Sequence, residues 1–481
     1  MKQESIRKNY IYRLLYEILV LITPFITTPY ISRVLGADKI GIYSFAVSNV
    51  TYFTLIGALG TSSYGAKEIA QHRDNVKEAS KLFWEIELMT IITSGLALIG
   101  WIIFSSIEKD LRIYYYALIP NILATMFDIS WYFTGYEKVK YLVTRNSIIK
   151  IVGVILLLVL VKSQEDLILY FVINSTTLLL GNISMWAYLP RMLTKVSFRD
   201  LEIKRHFKET LVYFIPTVAT SVYTVLDKTL IGVITGDNYE SGYYEQATRF
   251  IKIVKTLVFV SVNAVVGTRI SYLFANKKYK EIKNRIANSM DYILFLGIGC
   301  VYGIIAVANR FVPVFYGDGY DQVSTLLYYM SPLIIIIGIS NCLGTQYYTP
   351  SGQRKRSAIV IVVGAVVNLI ANLFLIPNYG TKGATVGSIL AEGLICILYV
   401  QMSDGYITWK ELFEVSYKKV IAGSIMLIII MIIDHYITIR PLLMLIIEIV
   451  LGVIVYCIVL LILKDSMLIK IKKVAMRILH R

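Results

Sequence analysis

The sequence predicts an all-α integral membrane protein of about fourteen transmembrane helices, in two pseudo-symmetric six-helix lobes followed by an extra C-terminal helix pair. Three observations predict it. The 481 residues are 56% hydrophobic and 17% charged, with a mean hydropathy of +0.64, too apolar throughout for water to be the main solvent. Apolar stretches of the length a spanning helix needs, about 20 residues, recur from end to end. Lysines and arginines are sorted onto every second connecting loop.

The first apolar segment, at about 12–34, follows Lys2, Arg7, Lys8 and Arg13 as a signal peptide would. It runs on through Val34 without a small-residue cleavage site, so it reads as an uncleaved span. Spans at about 40–60, 84–106, 112–135, 142–162 and 167–190 complete an N-terminal lobe over 1–208. Six more, at about 209–235, 240–268, 288–315, 322–346, 357–377 and 380–401, form a second lobe over 209–408. The last pair, about 414–435 and 441–463, and a basic tail fill 409–481.

With both termini cytoplasmic, 36 of the 48 Lys and Arg fall inside, Lys150 among them, eight outside and four within the membrane. That asymmetry supports an even span count and this orientation. A net charge of +16 would suggest nucleic acid in a soluble protein. Here the excess lies in short loops beside apolar spans, so membrane lipids are the expected surroundings and no nucleic-acid partner is expected. Cys300, Cys342, Cys396 and Cys457 lie in apolar stretches without ligand spacing, and read as core residues rather than a disulfide or metal framework.

The chain repeats itself at an offset of about 200 residues. Gly36-Ala-Asp-Lys-Ile-Gly41-Ile-Tyr43, between spans 1 and 2, reads against Gly236-Asp-Asn-Tyr-Glu-Ser-Gly242-Tyr-Tyr244, between spans 7 and 8. Tyr132-Phe133-Thr134-Gly135 echoes Tyr347-Tyr348-Thr349-Pro350. Six spans separate the copies, so the lobes run parallel, related by an axis along the membrane normal. Pro24 and Pro29 in span 1 and Pro216 in its counterpart, span 7, are candidate helix breaks, and breaks in the equivalent helix of both lobes point to a central cavity. Membrane helices also tolerate proline with no such role.

Span 8 carries three charges that should not lie in hydrocarbon: Arg249, Lys252 and Lys255. A spacing of three turns successive side chains by about 60°, so all three share an arc of about 120°. Counted from Glu240, Arg249 lies roughly 13 Å deep and Lys255 roughly 22 Å. Asp227 and Lys228 of span 7 reach a similar depth to Arg249, so Asp227 is a candidate partner for Arg249, leaving Lys252 and Lys255 to an anion. The alternative is that span 8 starts later and the three snorkel to water. The acidic outer loop before them (Asp237, Glu240, Glu245) disfavours it. A buried cationic face suits phosphate or pyrophosphate, which arginine grips as a fork and lysine as a point charge.

Glu17, Asp128 and Glu392 are intramembrane carboxylates, each a candidate proton or cation site, or a hydrated or paired group near a helix end. Tyr43, Tyr244, Tyr347 and Tyr348 offer rings for sugar stacking, or for packing. His72, His206, His435 and His480 have no partner at informative spacing, and no phosphate-binding glycine loop precedes a Lys-Ser or Lys-Thr. The chain therefore reads as no enzyme, with no catalytic residues, no metal site and no cofactor.

The stretch Asn368-Leu-Ile-Ala-Asn372-Leu-Phe-Leu-Ile-Pro377-Asn-Tyr-Gly380-Thr-Lys-Gly383-Ala384, continuing to Ala391-Glu392, resembles the hallmark of Wzx-type polysaccharide repeat-unit flippases. These belong to the multidrug, oligosaccharidyl-lipid and polysaccharide exporter superfamily. Arg33-Val-Leu-Gly36 followed by Gly41-Ile-Tyr43 resembles the same family's first loop. The likeness implies a multi-pass protein of the bacterial cytoplasmic membrane. It would move an undecaprenyl-pyrophosphate-linked oligosaccharide to the outer leaflet, for a capsule or O-antigen type of polysaccharide, by alternating access through a cationic cavity. By approximate register, Arg33 and Arg249 fall where the superfamily carries functional arginines. A polysaccharide polymerase and export machinery are the implied partners. The alternatives are a peptidoglycan lipid II flippase, against which the few arginines in span 1 argue weakly, and a cation-coupled multidrug exporter, which would want an acidic cavity.

Overall fold

A computed structural model of the protein describes residues 6–437 and 439–479; side chains at 6–14, 215–217, 219–224, 260–269, 472–475, 477–479 and a few isolated positions lie outside the description. Pro216 is among these, so its role as a helix break lies outside the described residues. The chain divides into two units, Met1–Gly232 and Val233–Arg481.

The first unit contains α1 (Ile6–Ala58), α2 (Thr61–His72), α3 (Val76–Ile107), α4 (Arg112–Ala117), α5 (Ile119–Met126), α6 (Ser130–Gly135), α7 (Val139–Leu160), α8 (Leu167–Ser184) and nearly all of α9 (Ile203–Thr235). The 53 residues of α1 would reach about 80 Å as one rod, more than twice the ~30 Å hydrocarbon core. The helix breaks at Gly36, with φ 76° and ψ 169°, a conformation that glycine reaches without a Cβ penalty. The two arms are spans 1 and 2. Pro24 and Pro29 lie inside the helix, and the non-helical backbone falls beyond them, at Gly36.

Span 4 is not one rod but three short helices, α4 to α6. Pro120 sits in the first turn of α5, where its missing N–H costs nothing but where the preceding helix must end. An Asx turn, in which Asp128 Oδ1 accepts from the Ser130 amide at 2.9 Å, starts α6. α1 packs on α3 and α7, α5 on α8, and α2 on α6. The core here is aromatic: Phe83, Trp131, Tyr132 and Phe133 are all but fully buried, with the Phe83 and Trp131 rings stacked at 5.6 Å. Gly65 makes this possible, since a Cβ there would sit 2.4 Å from the Trp131 ring.

The sequence repeat places a boundary at 208/209, yet α9 packs with the first unit as far as Gly232. Two contacts explain why. Gly60, at φ 74°, lets the chain turn directly on the α9 backbone, where a Cβ would meet the Phe214 nitrogen at 2.7 Å. Gly232 receives the Phe45 ring, which any side chain would displace.

The second unit contains α10 (Asn238–Ala275), α11 (Tyr279–Tyr316), α12 (Asp321–Met330), α13 (Leu333–Leu343) with a π turn over Gly344–Tyr348, α14 (Arg354–Gln401), α15 (Trp409–Tyr436), α16 (Pro441–Ile462) and α17 (Ser466–Leu479). α12 and α13 are bent by 42° at Ser331-Pro332, and α14 breaks at Gly380, φ 54°. α15 and α16 pack against α11 and each other, so the appended pair is part of this unit.

Among the described residues, eight helices are long and apolar enough to span, or nine with the bent pair. Splitting α1 and α14 at their glycines adds two. The broken α4–α6 and the charged helices α9 and α10 are counted as spans only from the sequence pattern, and with them the total is consistent with about fourteen. One detail of the charge pattern changes: Lys150 stands mid-way along α7, so it belongs with the membrane charges and not with the inside tally.

Candidate functional site

In the second unit α10 begins at Asn238, with Asp237 Oδ1 accepting from the Tyr239 amide at 2.8 Å as its N-cap. The basic ladder is therefore well inside a helix, and not at its frayed start. Arg249 follows the helix start by about 17 Å and Lys255 by about 26 Å, each slightly deeper than the sequence count gives. Arg249 is half-buried, and its Nη2 donates to Glu245 Oε1 at 3.0 Å, one turn earlier on the same helix. Glu245 is a partner that the sequence reading treated as loop charge.

Lys252 is exposed and Lys255 half-buried. Glu392 of α14 lies close enough to Lys255 to interact with it electrostatically, as does Lys252. The ladder thus grades from an ion-paired arginine to two lysines, one of them beside a carboxylate. A charge near the bilayer centre costs at least about 2.5–3.5 kcal/mol on insertion scales, so three on one helix require wet or polar surroundings.

Gly380 explains another part of the site. Its left-handed turn lets the Thr381 amide, at the head of the second arm of α14, donate to Glu240 Oε2 at 2.7 Å. A carboxylate there satisfies an orphan N–H and lies favourably at a helix N-terminus. The hallmark glycine and the acid at the start of α10 are thus one structural device.

In the first unit Asp227 is buried and Lys228 half-buried. Asp227 lies near Tyr52 of α1, and Tyr52 shares a 3.0 Å hydrogen bond with Thr229. Arg33 is exposed and donates from Nη1 to the Pro29 carbonyl at 3.0 Å, close to the Gly36 break. Glu17 is exposed on α1. Asp128 is half-buried, partly consumed by its turn with Ser130, and faces a pocket with Arg145 and Lys150.

The tyrosines considered for sugar stacking are engaged in packing. Tyr43 meets Tyr170 and Phe171 edge-on, at 4.6 and 4.9 Å. Tyr244 is buried, the Tyr347 hydroxyl donates to Asp404, and Tyr348 donates to the Tyr399 carbonyl at 3.0 Å. His206, read as unpartnered, sits between Glu85 Oε2 at 2.8 Å and the Tyr64 hydroxyl at 2.7 Å. Arg205 Nη2 also donates to Glu85 at 2.7 Å. Sequence reasoning missed this hub, as well as Arg145, because the partners lie on different helices.

Among the described residues, two helical units with repeat glycines at their turns and cations on spanning helices make up a multi-pass membrane protein. A family model described as "Polysaccharide biosynthesis protein" matches residues 6–273, and the chain belongs to that family. It is similar to proteins named "Putative O-antigen transporter" from two bacteria. That of Escherichia coli (strain K12) is 22% identical over 407 residues, covering 82% of this chain and 95% of the relative. That of Shigella dysenteriae is 25% identical over 384 residues, covering 79% and 95%. Among solved structures, the lipid II flippase MurJ in an inward closed conformation matches with a TM-score of 0.75 at 18% identity, over 94% of this chain and 99% of that one. At that identity the fold is what is shared. These findings bear out the resemblance to Wzx-type flippases drawn from the Asn368–Glu392 stretch.

Proposed function

We propose that the protein is a flippase for polysaccharide repeat units. It carries an undecaprenyl-pyrophosphate-linked oligosaccharide from the cytoplasmic to the outer leaflet of the bacterial cytoplasmic membrane, with both termini cytoplasmic. Family membership supports a role in polysaccharide biosynthesis, and so do the two relatives named as O-antigen transporters, each matched over nearly its whole length.

The observation that carries the mechanism is the α10 ladder. Arg249, Lys252 and Lys255 share one face of a spanning helix, and only Arg249 among them forms an ion pair with a carboxylate on its own helix. In this proposal cations on the spanning helices are the candidates that receive the pyrophosphate, Lys252 and Lys255 in the second unit and Lys228 and Arg33 in the first, while the glycan crosses in water and the polyprenyl tail stays in lipid. Asp227 is an ion-pair candidate within the first unit, and Arg249 is positioned by Glu245. Glu392, Asp128 and Glu17 are the candidates for coupling to an ion. Transport proceeds by alternating access.

The test is transport in proteoliposomes, with a pyrophosphate-linked glycolipid in one arm and a cationic dye in the other. Glycolipid should move and dye should not. Replacing both Lys252 and Lys255 with Gln should cut glycolipid transport by about tenfold or more, the worth of one lost charge-assisted contact, at unchanged expression. Dye export, or full activity in the double variant, overturns the proposal.

A further inference from the structure

We propose that the first unit holds a further oxyanion site, built by Arg145 and Lys150 of α7 with Asn146 beside them, which takes the phosphate group of a lipid. These residues line one pocket of about 400 Å³ together with Asp128, within the ~300–1,000 Å³ usual for ligand pockets.

The argument begins with Lys150. It lies eleven residues into the 22-residue α7, about 17 Å from the helix start and so near the middle of the span. It is half-buried, and among the described residues its ammonium has neither a hydrogen bond nor an ion pair. Charges at this depth are rare, and by default they mark a path or a binding site. Arg145 is the second observation. Its Nη1 donates to the Gly181 carbonyl and to Asn182 Oδ1 at 3.2 Å, while its Nε is buried without a partner. The Asn182 amide nitrogen is in turn held by the Ala124 carbonyl at 2.7 Å, which fixes the amide so that its oxygen meets the guanidinium. Arg145 is thus oriented by the protein, with a donor left over.

Charge balance points to an anion. Asp128 acts on Arg145 electrostatically and gives one negative charge against two positive ones. One of its oxygens already serves the Ser130 amide. The pocket therefore carries one uncompensated cation and spare donors from two sides. A lipid phosphate supplies the missing negative charge and can accept from the Arg145 guanidinium and from the Lys150 ammonium at once. The membrane depth of the pocket selects a phosphate that arrives on a lipid.

That lipid is either the polyprenyl carrier of the proposed substrate or a resident anionic phospholipid. The first source rests on the function proposed above; the site itself does not. The full-length protein, purified in mild detergent, would be analysed by native mass spectrometry after addition of a polyprenyl phosphate, of phosphatidylglycerol, or of a neutral diacylglycerol. Wild type should retain the phosphate-bearing lipids and not the diacylglycerol. The Lys150→Gln variant loses no internal bond, so it should fold normally, and it should retain them about tenfold more weakly. Lys150→Arg should restore retention. Preference for the polyprenyl phosphate identifies a substrate site, and preference for phosphatidylglycerol a resident lipid; both support the proposal. Equal retention by wild type and Lys150→Gln, or none by wild type, overturns it. A protein that binds phosphate through Lys150 yet moves no glycolipid in the transport assay would sink the flippase reading and leave this site standing.

Discussion

Lys419 is fully buried, and all three donors of its ammonium are used: Asp291 and Asp465 accept at 2.9 Å each, and the Val415 carbonyl at 2.7 Å. Ser466 and Lys470 add further contacts to Asp291, so the cluster ties α11, α15 and the head of α17 together. Removing only the lysine would leave two buried carboxylates with Lys470 as their remaining cation, at a cost of up to about 3–5 kcal/mol. Lys419→Met should therefore lower the Tm of the detergent-solubilised protein sharply, and adding Asp291→Asn and Asp465→Asn should restore much of it. If the single variant melts like wild type, the cluster contributes nothing. Asp404, in the loop before α15, gives a smaller and pH-dependent effect. The Tyr347 hydroxyl, then the Gln353 amide and Arg356, hold its carboxyl below its ordinary value of 3.8. A depressed pKa in the folded state means the contribution is complete at neutral pH, fades as pH falls below about 4, and is gone below the folded value. The group is largely exposed, so screening keeps the effect small. Thermal scans should show a modest Tm deficit for Asp404→Asn at pH 7 that closes as pH falls towards 3. None of these partners was legible in the sequence. Lys419 and Asp291 are 128 residues apart, and His206 and Glu85 are 121 apart; spacing along a chain reports neighbours on one helix, as with Arg249 and Glu245, and says nothing of neighbours across helices.

At the scale of elements, hydropathy made the helices legible and glycine made their breaks legible only in part. Prolines drew attention in span 1, because a missing N–H and a ring clash are known ways to bend a helix. The backbone instead departs from helix at Gly36, and in α14 at Gly380, beyond Pro377. The hallmark stretch around Gly380 was visible from its residues, but the reason for it was not, because Glu240 lies 141 residues earlier. The carboxylate caps an interrupted helix, so Glu240→Ala should cost about 0.5–2 kcal/mol, as N-cap removals do. Gly380→Ala should cost at least as much, since its Cβ would fall 2.5 Å from the Glu240 carboxylate and the left-handed φ penalises any L side chain. Tm measurements on the two single variants and the double should be non-additive, because both act on the same contact. Strict additivity would mean that the cap and the turn are independent.

For the whole molecule, the internal repeat was the deepest feature the sequence offered, and it can be tested at its aligned glycines. Gly36 and Gly236, the aligned residues of the two copies, both have positive φ, 76° and 63°, a backbone region that favours glycine. The unit boundary was harder to read. The repeat counts spans, whereas packing follows contacts, and Gly60 and Gly232 bind α9 to the first unit. The repeat leads to a paired prediction in which steric crowding plays almost no part. A Cβ at Gly236 would meet nothing within 4 Å, and one at Gly36 would meet only the Gln164 side chain, at an ordinary 3.5 Å. Alanine at either position should therefore destabilise through the backbone alone, by about 1–2 kcal/mol. If the two turns are structural equivalents, the two variants should lose similar amounts, measured as Tm under one set of conditions, and the losses should add in the double variant because the sites share no partner. A neutral Gly236→Ala beside a costly Gly36→Ala would show that the likeness of the copies stops at sequence, and that the two halves turn between their opening spans for different physical reasons.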